Sequence, residues 1–353
     1  MFSFRTTPIE DQLDKALMNG NVGVFCSQNC WDPARGGYLY DIFRQRGNLK
    51  ALFLPNEPEL SEWESHIEFD IDHLASLNAI VVEIQDCGTR YSSHTLDVLR
   101  LMTAMNTLGE EAPALYIVDH VNPSGRIVEG TMPALGADMF TPKVAHRHGL
   151  TLGELCNLYH NEIGATYALH IISAGLSAAG RVLMPWSIPP QGNLPGMFSS
   201  QLYSGGAFWE GTSVTPGIGT ARPYEYIGAP WLTPRQDIPQ AEGAVLRSCT
   251  FSPAFGKYAG EKCFGWQIIL VPGEEYHSIL HTLQMMDFFR QHYSMFTIGE
   301  EAFARIADPV IEAFLKGEIT FDIVREHIKL EEQKWIRKAK RYVLYDDSPC
   351  RIK

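Results

Sequence analysis

"NAIVVEIQD" (78–86), followed shortly by "SSHTLDVLRLMTAMNTLG" (92–109), decides the fold. The first run is almost wholly aliphatic and β-branched and ends in polar residues, as a strand covered on both faces of a parallel sheet requires. The second places Leu96, Leu99, Leu101 and Met102 on a helical pattern. Strand-like runs recur at "NVGVFCS" (21–27), "LKALFLP" (49–55) and "PALYIVDH" (113–120). Thr151 and Glu154 have the spacing of a capping box before another helix, and "ATYALHIIS" (165–173) reads as a further strand. This βαβ rhythm predicts an α/β chain whose first part is a Rossmann-like three-layer domain with a mostly parallel sheet.

From about 174 to 245 the texture changes to Gly, Pro and aromatic residues with little periodicity, a stretch too long to be plain linker. Order then returns with a strand at "FGWQIILVP" (264–272) and helices at about 275–293, 300–316 and 320–341. The expected division is a Rossmann-like, catalytic-type domain over 1–173 and an α+β C-terminal domain over 174–353 that completes a cleft. No internal repeat or low-complexity segment interrupts it.

The 353 residues carry a net charge of −12, which argues against a nucleic-acid binder, since such a protein needs a basic face. Seven cysteines, an odd number set mostly in apolar runs, suit buried thiols rather than a disulfide framework. The polar N-terminus lacks the pattern of a signal peptide, and no apolar run approaches the roughly 20 residues of a membrane span. A cytoplasmic protein without a membrane span is expected; the oligomeric state is left open.

Ligands of open α/β sheets collect beyond the carboxyl ends of the strands. That rule selects Gln28 and Asn29, Asn56 and Glu57, Gln85 to Arg90, and Asp119 to Asn122. "GIGTAR" (217–222) opens like a dinucleotide fingerprint, but Arg222 stands where the third glycine belongs. "HRH" would place His146 and His148 on one strand face; without a third ligand at a telling spacing, no metal is expected. Glycoside hydrolysis needs two carboxyl groups held in opposite protonation states. Glu57, Glu83, Asp86, Glu129, Glu210 and Glu225 all lie in loop or strand-end contexts. The residues alone therefore point to a hydrolase or a binding protein with an acidic, aromatic cleft.

Five collinear segments carry a resemblance. "VVEIQDCGTRYSSHTLDVL" (81–99), "VDHVNPSGRIVEG" (118–130), "AHRHGLTLGEL" (145–155), "WEGTSVTPGIGTARPYEYIGAPW" (209–231) and "FSPAFGKYAGEKCFGWQI" (251–268) are similar to motifs of the NamZ-type exo-β-N-acetylmuramidases. The resemblance implies a two-domain glycoside hydrolase with its substrate in the cleft between the domains. It further implies removal of terminal N-acetylmuramic acid from peptidoglycan fragments or muropeptides during cell wall recycling, with no metal or organic cofactor. By matching position, Asp86 is implied as catalytic. Arg90, Asn122, Glu129, His148, Asn193, Glu210, Arg222, Glu225 and Lys257 are implied to line or support the substrate site. Arg222 or Lys257 could grip the lactyl carboxylate of muramic acid, a guanidinium doing so with two hydrogen bonds; an ion pair between Arg222 and Glu225 is the structural alternative.

The chain departs from the family at two strand ends. "CSQNC" (26–30) replaces a "T-N-H-T-G" run, and "FLPNEPEL" (53–60) replaces "F-G-P-E-H-G". Asn56 then falls on the family's acidic glutamate and Glu57 on its histidine. An amide has no proton to deliver, so Glu57 is the expected catalytic acid if the loop shifts by one residue, with Asn56 beside it. A catalytically impaired sugar-binding relative and a glycosidase of different specificity remain the alternatives.

Overall fold

The computed structural model describes residues 19–345 apart from 33–34, 56–67, 135–142, 175–188 and 190, together with Leu13 and Leu17. Asn56 and Glu57 lie outside the described residues.

The aliphatic runs form five parallel strands: β1 (Val22–Cys26), β2 (Leu49–Phe53), β3 (Ala79–Glu83), β4 (Ala114–Asp119) and β5 (Leu169–Ser173). Their order is β2-β1-β3-β4-β5. This is a doubly wound arrangement whose direction of growth reverses between β1 and β3, where such sheets leave a crevice at their carboxyl edge. In register, Cys26 lies level with Glu83, and Glu83 with Val118. Alternation separates the two faces. Ile80 and Val82 pack with Val98, Leu101, Met102 and Met105 of α3 (Ser93–Asn106). Ala79, Val81, Tyr116 and Val118 pack with Leu39 and Phe43 of α1 (Leu39–Arg46). Three layers result, as the sequence predicts. A short α2 (Ile71–Ala75) precedes β3, and α4 (Leu152–Glu162) begins with the expected reciprocal capping box between Thr151 and Glu154.

The second part holds an antiparallel sheet of β6 (Tyr226–Ala229), β7 (Ala244–Phe251) and β8 (Cys263–Leu270), in the order β6-β8-β7. Gly228 and Gly265 are directly opposed, and a Cβ on Gly265 would stand 1.9 Å from the Ile227 carbonyl oxygen. Helices α5 (Met197–Gly206), α6 (Ser278–His292), α7 (Glu300–Ile306), α8 (Pro309–Leu315) and α9 (Phe321–Ala339) complete it. Trp209, Trp266, Phe289 and Ile328 are central to its core. The helix expected over 300–316 is two. Ala307 takes a left-handed φ of 49°, Asp308 caps α8 by accepting from the Val310 and Ile311 N–H groups, and Pro309 opens it.

α9 returns to the first part of the chain: Trp335 and Ala339 pack with Val128 and Leu150 and with Leu155 and Leu158 of α4. Beyond it Leu344 N–H donates to Glu154 Oε1 at 2.9 Å and the Tyr345 hydroxyl to Asp119 Oδ2 at 2.8 Å. Among the described residues no helix is long and apolar enough to cross a membrane. Cys26, Cys30, Cys87, Cys156, Cys249 and Cys263 are free thiols.

Candidate active site

The loop after β3 is folded by its own polar groups. Asp86 is 3% exposed; its Oδ1 accepts from the Thr95 hydroxyl at 2.6 Å and its Oδ2 from the Gly88 N–H at 2.9 Å. His148 Nε2 stands 3.4 Å from Oδ2. Burial alone would raise this carboxyl, but His148, Thr95 and the Gly88 amide outweigh it and hold Asp86 below the ordinary carboxylate value. Gly88 is required: its φ is +78°, and a Cβ would sit 2.1 Å from Asn122 Oδ1. Asn122 in turn donates to the Leu150 carbonyl at 2.8 Å and accepts from the Ser124 N–H at 2.8 Å. Asp86, Asn122 and His148 are thus brought together at the carboxyl edge.

Arg90 and Glu129 lie beneath them and join the two parts of the chain. The Arg90 guanidinium donates to the carbonyls of Thr131 (3.0 Å), Arg305 (2.7 Å) and Ile306 (2.6 Å), the last two at the C-terminal end of α7. A cation is favoured there by the helix dipole and the free carbonyls. Glu129 pairs with Arg147 and accepts from the Ser278 hydroxyl (2.6 Å) and the Ile279 N–H (3.1 Å) at the start of α6. Arg147 sits in isolated bridges with Thr89 and Glu129 rather than in a regular strand. His146 and His148 flank it with separate partners, Arg90 at 2.7 Å and Asp86.

A second group forms around Glu210, in the 3-10 turn Ala207–Gly211. Its Oε1 accepts from the Tyr224 hydroxyl and its Oε2 pairs with Arg305, each at 3.0 Å. Lys257 donates to the Glu210 carbonyl at 3.2 Å and to that of Thr212. Burial raises the Glu210 carboxyl, and Arg305, Tyr224 and Lys257 offset this only in part. Burial likewise lowers Lys257. Tyr224 reaches Glu210 from a left-handed backbone, φ 66°, a strained state for an aromatic residue that surrounding packing must hold. Its ring lies 4.7 Å from that of Tyr203, which lies 5.9 Å from Tyr91; Tyr203 and Tyr224 share one buried cluster with Cys87. This aromatic run connects Glu210 to the loop carrying Asp86. Glu225 is buried, with Arg222 3.3 Å away and the Gln267 amide donating to it at 3.4 Å. The Arg222 side chain stays 53% exposed. Asn193 is half-buried in the turn between Gln191 and Leu194.

Arg305, Arg147, Tyr203 and Tyr224 are partners that sequence reading did not single out. A basic residue in the last turn of α7 was the sole signal for Arg305. Among the described residues, cavities of about 550 Å³, beside Asn157, His160 and Tyr345, and about 270 Å³, beside Gln284 and Phe288, are lined by none of the candidate residues. Neither concentrates opposed titratable groups, so the side-chain clusters are the better guide to chemistry. Among the described residues no group of three His, Cys, Asp or Glu side chains is placed to hold a metal ion.

Asp119, at the end of β4, is fully buried and accepts from Gly153 N–H (2.8 Å), Thr151 hydroxyl (2.7 Å) and Tyr345 hydroxyl (2.8 Å). Burial pushes its carboxyl up to about 6 despite these bonds. The folded value exceeds the unfolded one, so its contribution to stability is present below about pH 4 and is lost as pH rises through about 6. Two units correspond to about 3 kcal/mol across that window. Asp119→Asn keeps the shape, and the hydroxyls can turn to accept from the new amide. Urea titrations from pH 4 to 6 should show the wild-type loss and its absence in the variant; parallel curves for the two proteins would refute the assignment.

Residues 58–185 match the family description "Exo-beta-N-acetylmuramidase NamZ, N-terminal", and residues 201–345 match its C-terminal counterpart. The first match begins past β1, β2, Asn56 and Glu57. The peptidoglycan beta-N-acetylmuramidase NamZ of Bacillus subtilis (strain 168) is 22% identical over 288 residues, covering 77% of this chain and 68% of that protein. Crystal structures of two DUF1343 family proteins from Bacteroides fragilis NCTC 9343 share the fold. Their TM-scores are 0.76 and 0.78 at 19% and 18% identity, with 96% of this chain and 97% of each of theirs covered.

Proposed function

We propose, from the premise that the chain belongs to the exo-β-N-acetylmuramidase NamZ family, that it is a muramidase-type glycoside hydrolase removing terminal N-acetylmuramic acid from peptidoglycan fragments. The observation that carries this reading is the pair of carboxyls whose acidities are shifted in opposite directions, Asp86 downward and Glu210 upward, along one aromatic run. Environments that shift two neighbouring carboxyls apart in this way are characteristic of functional sites. Asp86, held ionised, would stabilise the positive charge that develops on the sugar ring. Glu210, Glu225, Asn193, Arg222 and Lys257 form the substrate side; Arg222, anchored by Glu225 and half exposed, suits the lactyl carboxylate. Asn122, His148, Arg90 and Glu129 hold that geometry from below.

The boundary near residue 174 divides the parallel-sheet part from the part that completes the cleft, with the tail of α9 strapped back across it. The free thiols, five of the six described ones buried, favour a reducing, cytoplasmic setting; a role in recycling wall fragments, without metal or organic cofactor, follows the family resemblance. Asn56 favours one second reading, a relative that binds the sugar without cleaving it. Purified protein incubated with a muropeptide bearing N-acetylmuramic acid at its non-reducing end should release the free sugar. Binding of that muropeptide with no release would leave the second reading in its place.

A further inference from the structure

The carboxyl edge holds another pair of titratable groups, which neither the resemblance nor the clusters above employ. Glu83 is the last residue of the central strand β3 and, by alternation with Val81, faces the side that α1 covers. His120 follows β4, two residues past Val118, and so falls on the same side. His120 Nε2 and Glu83 Oε1 are 3.6 Å apart. Glu83 is 2% exposed, and among the described residues neither its Oε2 nor His120 Nε2 has a hydrogen-bond partner. The His120 side chain is 28% exposed through its other atoms, while Nε2 itself is buried against Glu83.

The surroundings fix this pair in place. The Cys30 thiol donates to the Glu83 carbonyl at 3.0 Å from the β1 side. The Gln85 amide donates to the carbonyls of Asp86 (2.8 Å) and Val121 (2.9 Å), tying the loops after β3 and β4 together beside it. Among the described residues, Cys26, Cys30, Tyr38, Tyr40 and Tyr116 are the other titratable groups of the cluster on this face. The position is the β1/β3 reversal where ligands of such sheets bind. It lies two strands, about 10 Å, from the end of β2 that leads to Asn56. A buried carboxylate oxygen and a buried imidazole nitrogen without hydrogen bonds carry a desolvation penalty, and native proteins keep such groups where chemistry needs them.

We propose that Glu83 donates the proton to the departing sugar oxygen, with His120 as its positioning and relay partner, in the role that the Asn56 amide cannot fill. This rests on the hydrolase reading above. The C1–O bond breaks with its electron pair going to the glycosidic oxygen, which takes the Glu83 proton. A water oxygen bonds to C1, and the proton it sheds returns through His120 Nε2 to the Glu83 carboxylate. Water is the only co-reactant. Separations that are long without substrate commonly tighten in the productive complex.

The test compares wild type with Glu83→Gln on two muramides, one with an alkyl aglycone and one with an activated nitrophenyl aglycone that leaves without protonation. A lost acid should lower kcat on the alkyl muramide by about 10²- to 10⁴-fold with KM little changed. The loss on the nitrophenyl substrate should be far smaller, and formate should restore turnover to Glu83→Ala. Uniform damage to both substrates would indicate a structural role and overturn the proposal. His120→Gln should remove one ionisation from the pH profile of kcat/KM. If the amide variant does not fold, Glu83→Asp is read by the same aglycone contrast. Glu83→Gln at the wild-type rate on the alkyl muramide overturns this proposal and leaves the hydrolase reading standing; wild type without turnover on either muramide overturns both.

Discussion

Glu129→Ala is expected to lower the unfolding free energy by about 3–5 kcal/mol, because it leaves a buried cation uncompensated. Glu129 is fully buried and Arg147 is 3% exposed. Removing the carboxylate strips Arg147 of its charge partner and orphans the Ser278 hydroxyl and the Ile279 N–H together. Glu129→Gln keeps the shape and one acceptor, so its cost should be smaller, and the urea midpoints of the two variants separate charge from packing. His277 supplies a second readout. Burial alone would lower its imidazole, but Glu129, 3.5 Å away, and Glu332, 2.8 Å away, raise it above the ordinary value. That stabilisation is present below about pH 6.5 and is lost as pH rises through the higher folded value. With Glu129 removed the slope should flatten; an alanine variant within about 1 kcal/mol of wild type would show that Arg147 finds its compensation elsewhere.

The parallel sheet was legible because each strand is a self-contained apolar run. Val22–Cys26 and Ala79–Glu83 are buried at every position, and burial on both faces leaves no alternation to misread. Thr151 and Glu154 were legible for the same reason: a cap is a local bond between residues three apart. What the sequence concealed depends on distant backbone. α5 ends in two glycines, and a Cβ on Gly205 would lie 2.4 Å from the Ser278 carbonyl oxygen, so close approach to α6 sets its composition. β6 contains Gly228 opposite Gly265, a pairing that periodicity over a four-residue strand cannot reveal. The break between α7 and α8 had a readable signal in Asp308–Pro309, which a search for amphipathic periodicity passes over. In the candidate site, Asp86 and Glu210 were selected by their strand-end and loop contexts. Their opposed environments come from His148, Tyr224 and Arg305, which are remote in sequence from at least one partner. Glu83 was visible as a strand-end carboxylate, but its pairing with His120 depends on which strand lies beside β3.

Trp335→Ala should cost about 3–5 kcal/mol and also disturb the site through a residue that reaches it by one backbone hydrogen bond, to His148. The indole is fully buried among Val128, Leu150, Leu155 and Leu158, and its Nε1–H donates to the His148 carbonyl at 2.9 Å. That bond fixes the backbone of the residue whose imidazole faces Asp86 at 3.4 Å. Truncation therefore opens a cavity beside α4 and frees His148 to drift from the carboxylate. Trp335→Phe refills most of the cavity but leaves the His148 carbonyl without its donor, a smaller loss of about 1–2 kcal/mol. The two variants should order in stability as wild type, Phe, Ala. The carboxyl resonance of Asp86 supplies the functional measurement. Burial raises Asp86, and contact with His148 is the largest influence opposing it, so both variants should titrate at higher pH than wild type. An unchanged Asp86 titration in a destabilised Trp335→Ala protein would show that His148 is held by its own loop, where Leu150 N–H donates to its Nδ1 at 3.2 Å, and that α9 contributes packing alone.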